Sequence, residues 1–181
     1  RYRSACRSSP RLSAFRALSS SMVLLWAHSV KIHNVSIVDI FWACSFVISN
    51  CAYASHGAAQ KAYAGRKALV LALTTAWASR LSTYLWWRNH VSAVGVGAGG
   101  SHEDFRYQKF RAFWDRNGLS YWWFSLLHVF TLQGALSFTV GAPLLAASTR
   151  EQPQHWTLWD AAGFGAWVCG YISKGTLAIW S

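Results

Sequence analysis

ALVLALTTAWASRLSTYLWW, residues Ala68 to Trp87, decides the fold. It contains no acid and one charge, Arg80. As a helix rising about 1.5 Å per residue it is about 30 Å long, the thickness of a hydrocarbon core. Arg66 and Lys67 precede it and Arg88 follows it. Trp86 and Trp87 stand at its exit, where aromatic rings favour a membrane interface. Next come a glycine-rich run, SAVGVGAGG, read as a hinge, and a polar cluster, SHEDFRYQKFRAFW. The cluster gathers His102, Glu103, Asp104, Arg106, Tyr107, Lys109 and Arg111, while most of the chain is apolar.

Composition agrees with that stretch. Only 13% of the 181 residues are charged, 53% are apolar and 12 are Trp, as in multi-pass membrane proteins. The net charge of +11 does not point to nucleic acid, because the basic residues flank apolar spans instead of lining one soluble face. Cys6, Cys44, Cys51 and Cys169 form no CxxC pair, so neither a disulfide framework nor a zinc site is indicated.

Outward from the central span, the same apolar pattern recurs. Val35–Tyr53, Leu119–Val140 and Thr157–Trp180 read as three further spans, with His128 and Gln133 inside the third of the four. Gly163, Gly165, Gly170 and Gly175 in the last allow close helix approach. Residues 103–116 read as an amphipathic surface helix, with Phe105, Phe110, Phe113 and Trp114 at helical spacing. MVLLWAHSV, Met22–Val30, reads as a short interfacial helix. The expected fold is all-α: a bundle of about four spans, a surface helix and a short N-terminal apolar helix, with no sheet. The transmembrane helical domain covers residues 21–181, and residues 1–20 form a basic arm.

That arm holds Arg1, Arg3, Arg7, Arg11 and Arg16 and no acid, the make-up of an organellar import sequence. Pro10 splits it, so an irregular conformation is expected. Five guanidinium groups need anions. Acidic lipids such as cardiolipin, or acidic neighbouring subunits, supply them.

Ionisable groups inside spans are costly and usually paired. Counting residues from one face places Asp39 about 6 Å deep and Arg80 about 10 Å deep in the same leaflet. An Asp39–Arg80 pair is therefore expected. A single polar cavity under the acidic loop is also expected, lined by Asp39, Arg80, Tyr84, His128 and Lys174. Arg80, Tyr84 and Arg88 recur at i, i+4, i+8 and lead up to it.

SIVDIFWACSFVI, then WASRLSTYLWWRNH, then EDFRYQKFR, then a Gln in a helix ending at Pro143, resembles the steroid 5-alpha-reductase-like integral membrane family. The resemblance covers roughly residues 33–170. It implies an all-helical multi-pass protein and, in characterised members, NADPH-dependent reduction of a carbon–carbon double bond conjugated to a carbonyl. It implies that Asp39, Trp42, Arg80, Arg88, Glu103, Asp104, Arg106, Tyr107 and Gln133 belong to the conserved half of a polar cavity. It also implies a C-terminal cofactor part with acidic helices and a His-Pro-Asn-Tyr type motif, which YISKGTLAIWS, Tyr171–Ser181, does not match.

The first expectation is therefore a non-catalytic accessory subunit of a larger organellar membrane complex, with bound lipid and no cofactor. The mitochondrial inner membrane ranks ahead of a plastid membrane and the ER. The second is an NADPH-dependent membrane reductase, in which Tyr107 or His128 supplies a proton and Glu103 polarises it. The third is a lipid- or quinone-binding module that uses the cavity without chemistry.

Overall fold

A computed structural model describes residues 9–56, 62–91, 103–151 and 153–177. Seven helices are present and no strand occurs among the described residues. They are α1 Pro10–Ile32, α2 Ile37–Ser55, α3 Ala64–Val91, α4 Phe105–Arg116, α5 Tyr121–Val140, α6 Ala142–Thr149 and α7 Leu158–Leu177. The all-helical expectation holds. The hinge segment SAVGVGAGG lies outside the described residues.

The helix α2 is the axis of the fold. It packs against α3 most extensively, and also against α1, α5 and α6. Buried serines make this close packing possible. Ser29, Ser45, Ser125 and Ser137 are fully buried, and each hydroxyl donates to the carbonyl three residues earlier in its own helix. A small polar side chain is thereby satisfied without a partner helix, and neighbouring backbones approach one another. The apolar core joins Leu18 and Met22 of α1, Val35 and Val38 around the start of α2, Tyr107 of α4, and Tyr121, Val129 and Phe130 of α5. Burying Phe130 completely contributes about 1.5–3 kcal/mol.

Within α5, residues Ser125–Phe130 form a π-helical stretch, and the Thr131 hydroxyl donates to the Leu126 carbonyl five residues back. A β-carbon on Gly141, at the junction of α5 and α6, would meet the Ser137 carbonyl oxygen at 2.8 Å. That contact explains why a glycine stands there.

Two helices, α2 and α5, are long and apolar enough to cross a membrane. The four-span expectation is not matched by that measure. α3 spans the quoted stretch, and α7 most of the fourth expected span. Yet Ser, Thr, Trp and Arg80 dilute α3, and glycines together with Asp160 dilute α7.

The arm corrects a second expectation. Pro10 does not break the segment; it opens α1 at the first helical position, where its missing N–H costs nothing. Ser9 caps the helix, its Oγ accepting from the Leu12 N–H at 3.2 Å. One continuous helix therefore runs from the arm through MVLLWAHSV, and the separate short helix over Met22–Val30 is absorbed into it. Ala14 and Leu18 are buried against the rest of the chain, and Phe15 meets Phe138 of α5 edge-on at 5.8 Å. Arg11 and Arg16 stay on the exposed side, while Arg1, Arg3 and Arg7 lie outside the described residues.

Candidate functional site

The acidic cluster closes onto the turn between α1 and α2. α1 ends at His33 in the left-handed conformation, with φ of 55°, and the chain turns through Asn34 to Ser36. The Asn34 side chain accepts from the Ser36 N–H at 2.9 Å. Into this turn comes the start of α4. The Glu103 carboxylate accepts from the Val35 N–H at 2.8 Å, and the Ser36 hydroxyl accepts from the Asp104 N–H at 2.6 Å. Asp104 also caps α4, accepting from the Arg106 N–H at 3.0 Å.

Two arginines complete the clamp. Arg111 grips Glu103 through both carboxylate oxygens, at 2.9 and 3.0 Å from its Nη2, and donates from the same nitrogen to the His33 carbonyl at 3.3 Å. Its guanidinium lies over the Tyr121 and Trp122 rings at 4.9 and 4.5 Å. Arg106 takes Asp104 bidentately, at 3.0 and 3.1 Å, and reaches Asp39 of α2 at 3.1 Å. The Tyr107 hydroxyl donates to the other Asp39 oxygen at 3.0 Å.

Charge follows from these bonds. The Arg106 guanidinium holds the Asp104 carboxyl below its ordinary value, and the nearby Arg88 adds to that. Burial pushes the Tyr107 phenol well up, and the charge and hydrogen bond of Asp39 push it further. Tyr107 thus keeps its proton and shares it with Asp39. The clamp ties α4 to α2; its acids and bases satisfy one another.

This overturns the Asp39–Arg80 pair. Asp39 is paired with Arg106 and Tyr107, while Arg80 donates to the Tyr171 carbonyl of α7. Equal depth puts two side chains at one level, but helix rotation decides which way each points. Arg80 faces α7, and its guanidinium lies over the Tyr171 ring at 4.4 Å.

The expected single cavity is likewise divided. Asp39, Glu103, Asp104, Arg106 and Tyr107 belong to the clamp, with Arg88 near it and bonded to Asn89. Trp42 stands edge-on to Phe46 and Trp77, at 5.0 and 6.5 Å between ring centres, inside the α2–α3 contact. His128 is on the exposed side of α5, stacked on Phe124 at 4.1 Å. Gln133 is half-buried on α5. The Lys174 side chain lies outside the described residues.

Arg80 and Tyr84 instead line a separate groove between α3 and α7. It encloses about 410 Å³ and is walled by Trp77, Leu81, Trp167, Gly170 and Tyr171. Trp167 and Tyr171 stack at 4.6 Å, one helical turn apart. A shallower surface continues past Tyr84 to Trp86 and Trp87. α7 contacts little else: Arg66 anchors its first turn through both oxygens of Asp160, one at 2.7 Å, and Leu158 and Trp159 are almost fully exposed. The partners Trp167 and Tyr171 were missed in the sequence, although their i, i+4 spacing on a helix opposite Trp77, Arg80 and Tyr84 carried the signal.

The family model described as "Protein of unknown function (DUF1295)" matches residues 25–176. The chain belongs to the DUF1295 family. No curated protein and no solved structure matches it. The region matched to DUF1295 contains the whole clamp and the whole groove, and it leaves out about the first four turns of α1.

The clamp of this DUF1295 chain does not fit a nicotinamide dinucleotide. A pyrophosphate needs free, convergent donors. Arg106 and Arg111 are each engaged by carboxylates, as is Arg66 outside the clamp. Among the described residues no three His, Cys, Asp or Glu side chains group to hold a metal ion.

Proposed function

We propose that this chain is an integral membrane protein on a steroid 5-alpha-reductase-like scaffold, and that it holds a flat, apolar lipid of steroid or quinone type in the groove between α3 and α7. The observation that carries this is the groove itself: aromatic and aliphatic walls around one cation, about 410 Å³ in volume, within the usual range for small-molecule sites.

The surface supports the membrane setting. Leu24, Leu127, Leu132, Leu136 and Val140 stand exposed on α1 and α5, an apolar surface that water would penalise and lipid would cover. With α3 and α7 crossing beside α2 and α5, the bundle has four spans and the groove opens sideways toward the acyl chains. The Arg-rich, acid-free first 20 residues favour an organellar membrane.

A second reading, the reductase, is favoured by one further feature. Tyr84 lies one turn from Arg80 on the groove, so two donors are available to the carbonyl oxygen of a conjugated ketone. The clamp offers that reading no phosphate site, since Arg106 and Arg111 are held by carboxylates.

Gly170 supplies the test. It lines the groove, and a β-carbon built on it meets nothing within 4 Å. Gly170→Phe therefore fills the groove with little strain on the helix. A tritiated steroid ketone should bind the full chain in lipid nanodiscs saturably. Gly170→Phe should lose most of that binding while keeping the wild-type helical circular dichroism. Equal binding by the variant overturns the proposal.

A further inference from the structure

We propose that the ligand of the α3–α7 groove carries a carboxylate, and that Arg80 is the residue that selects it. This rests on the lipid-binding reading above and narrows it to an acid-bearing lipid.

Among the described residues, Arg80 is a cation without a carboxylate partner. Asp39 and Asp104 are held by Arg106, Glu103 by Arg111 and Asp160 by Arg66, and no described acid forms an ion pair with Arg80. What holds Arg80 is neutral: the Tyr171 carbonyl, bonded through Nη1, and the face of the Tyr171 ring at 4.4 Å. Both contacts fix the plane of the guanidinium and neither cancels its charge. A guanidinium carries five N–H donors, and this contact uses only Nη1.

The groove around it is apolar, with Trp77, Leu81 and Trp167 as walls. A half-buried cation in such surroundings is left poorly solvated. One negative charge from the ligand would compensate it, and two would leave an excess. Arg presents a rigid planar fork that bonds a carboxylate through two parallel N–H groups, and a low local dielectric strengthens the pair. The ligand so described has a flat apolar body lying between Trp77 and Trp167 and a carboxylate at one end. The exposed aromatics beyond Tyr84, Trp86 and Trp87, mark the side on which that polar end approaches the interface.

The test uses two probes with one apolar body: a tritiated steroid carboxylic acid and its methyl ester. Both are titrated against the full chain in nanodiscs of neutral lipid. The wild type should bind the acid at least about ten-fold more tightly than the ester, the size of effect expected for a charge-assisted bidentate pair. Arg80→Gln should abolish that preference, so that acid and ester bind the variant with equal affinity. Arg80→Lys should retain part of it, because the charge remains while the fork is lost. If Arg80→Gln keeps the preference for the acid, or if the wild type shows none while still binding the ester, the carboxylate proposal is overturned and the groove reading stands. If neither probe binds the wild type, both fail together.

Discussion

Arg106 donates to Asp39 at 3.1 Å while its Nε and the same Nη2 hold Asp104 at 3.0 and 3.1 Å. One guanidinium on the first turn of α4 thereby gathers an acid from α2 and the cap of its own helix. Its side chain is 53% exposed, whereas that of Glu103, held by Arg111 beside it, is 2% exposed. The two arginines therefore differ in energetic weight.

Arg111→Leu strands the Glu103 carboxylate in the interior and should destabilise the fold by about 3–5 kcal/mol. Arg106→Leu takes a half-exposed guanidinium from Asp39 and Asp104, whose side chains are 16% and 13% exposed, and should cost less, about 1–3 kcal/mol. Chemical denaturation of both variants in the same detergent gives the comparison. Equal losses would mean that the clamp does not distribute burial as described.

Acid should release part of the clamp. Asp104 ionises below its ordinary value of 3.8 because Arg106 bonds its charged form, so its contribution is complete above that value and lost as pH falls through the lower folded value. Asp104→Asn should be less stable than the wild type by a constant amount from neutral pH down to about 5, where an ordinary carboxyl is still ionised. That gap should close below pH 3.8. Thermal melts across the range would show it, and a gap that widened in acid would contradict the assignment.

The glycines separate close approach from open space. At Gly141 an added methyl meets the Ser137 carbonyl oxygen at 2.8 Å, so Gly141→Ala should cost about 1–3 kcal/mol. At Gly163 and Gly165 a β-carbon meets nothing, and alanine there should be neutral or mildly stabilising in the helix. Melting temperatures of the three variants decide it.

α7 should open before the rest. It is pinned near its start by Arg66 and Asp160 and touches α3 only sparingly. Asp160→Asn should raise amide hydrogen exchange across 158–177 and leave α2 protected. Uniformly raised exchange in both helices would show instead that the pair holds up the whole bundle.

The helices were legible from local signals. The apolar runs beginning at Val35, Ala68, Leu119 and Thr157 each became a helix, because periodicity and length are local properties. The start of the arm's helix has an equally local signal, a Ser9 cap followed by a first-turn proline, which runs against the expected break at Pro10. The Asp39 partner was out of reach for a different reason. Depth along a span follows from counting residues, but rotation about it is set by packing with chain segments about 67 positions away. The groove needed the same missing information, since Trp167 and Tyr171 matter only once α7 is known to face α3.

The central claim is that a flat lipid lies between α3 and α7, and photo-crosslinking tests it most directly. A steroid bearing a diazirine is irradiated with the full chain in nanodiscs, and the labelled peptides are mapped by mass spectrometry. The account predicts that labels fall within residues 77–84 and 167–171 and are displaced by excess unlabelled steroid. Labels spread over the exposed faces of α1 and α5, with none in those two segments, would contradict it.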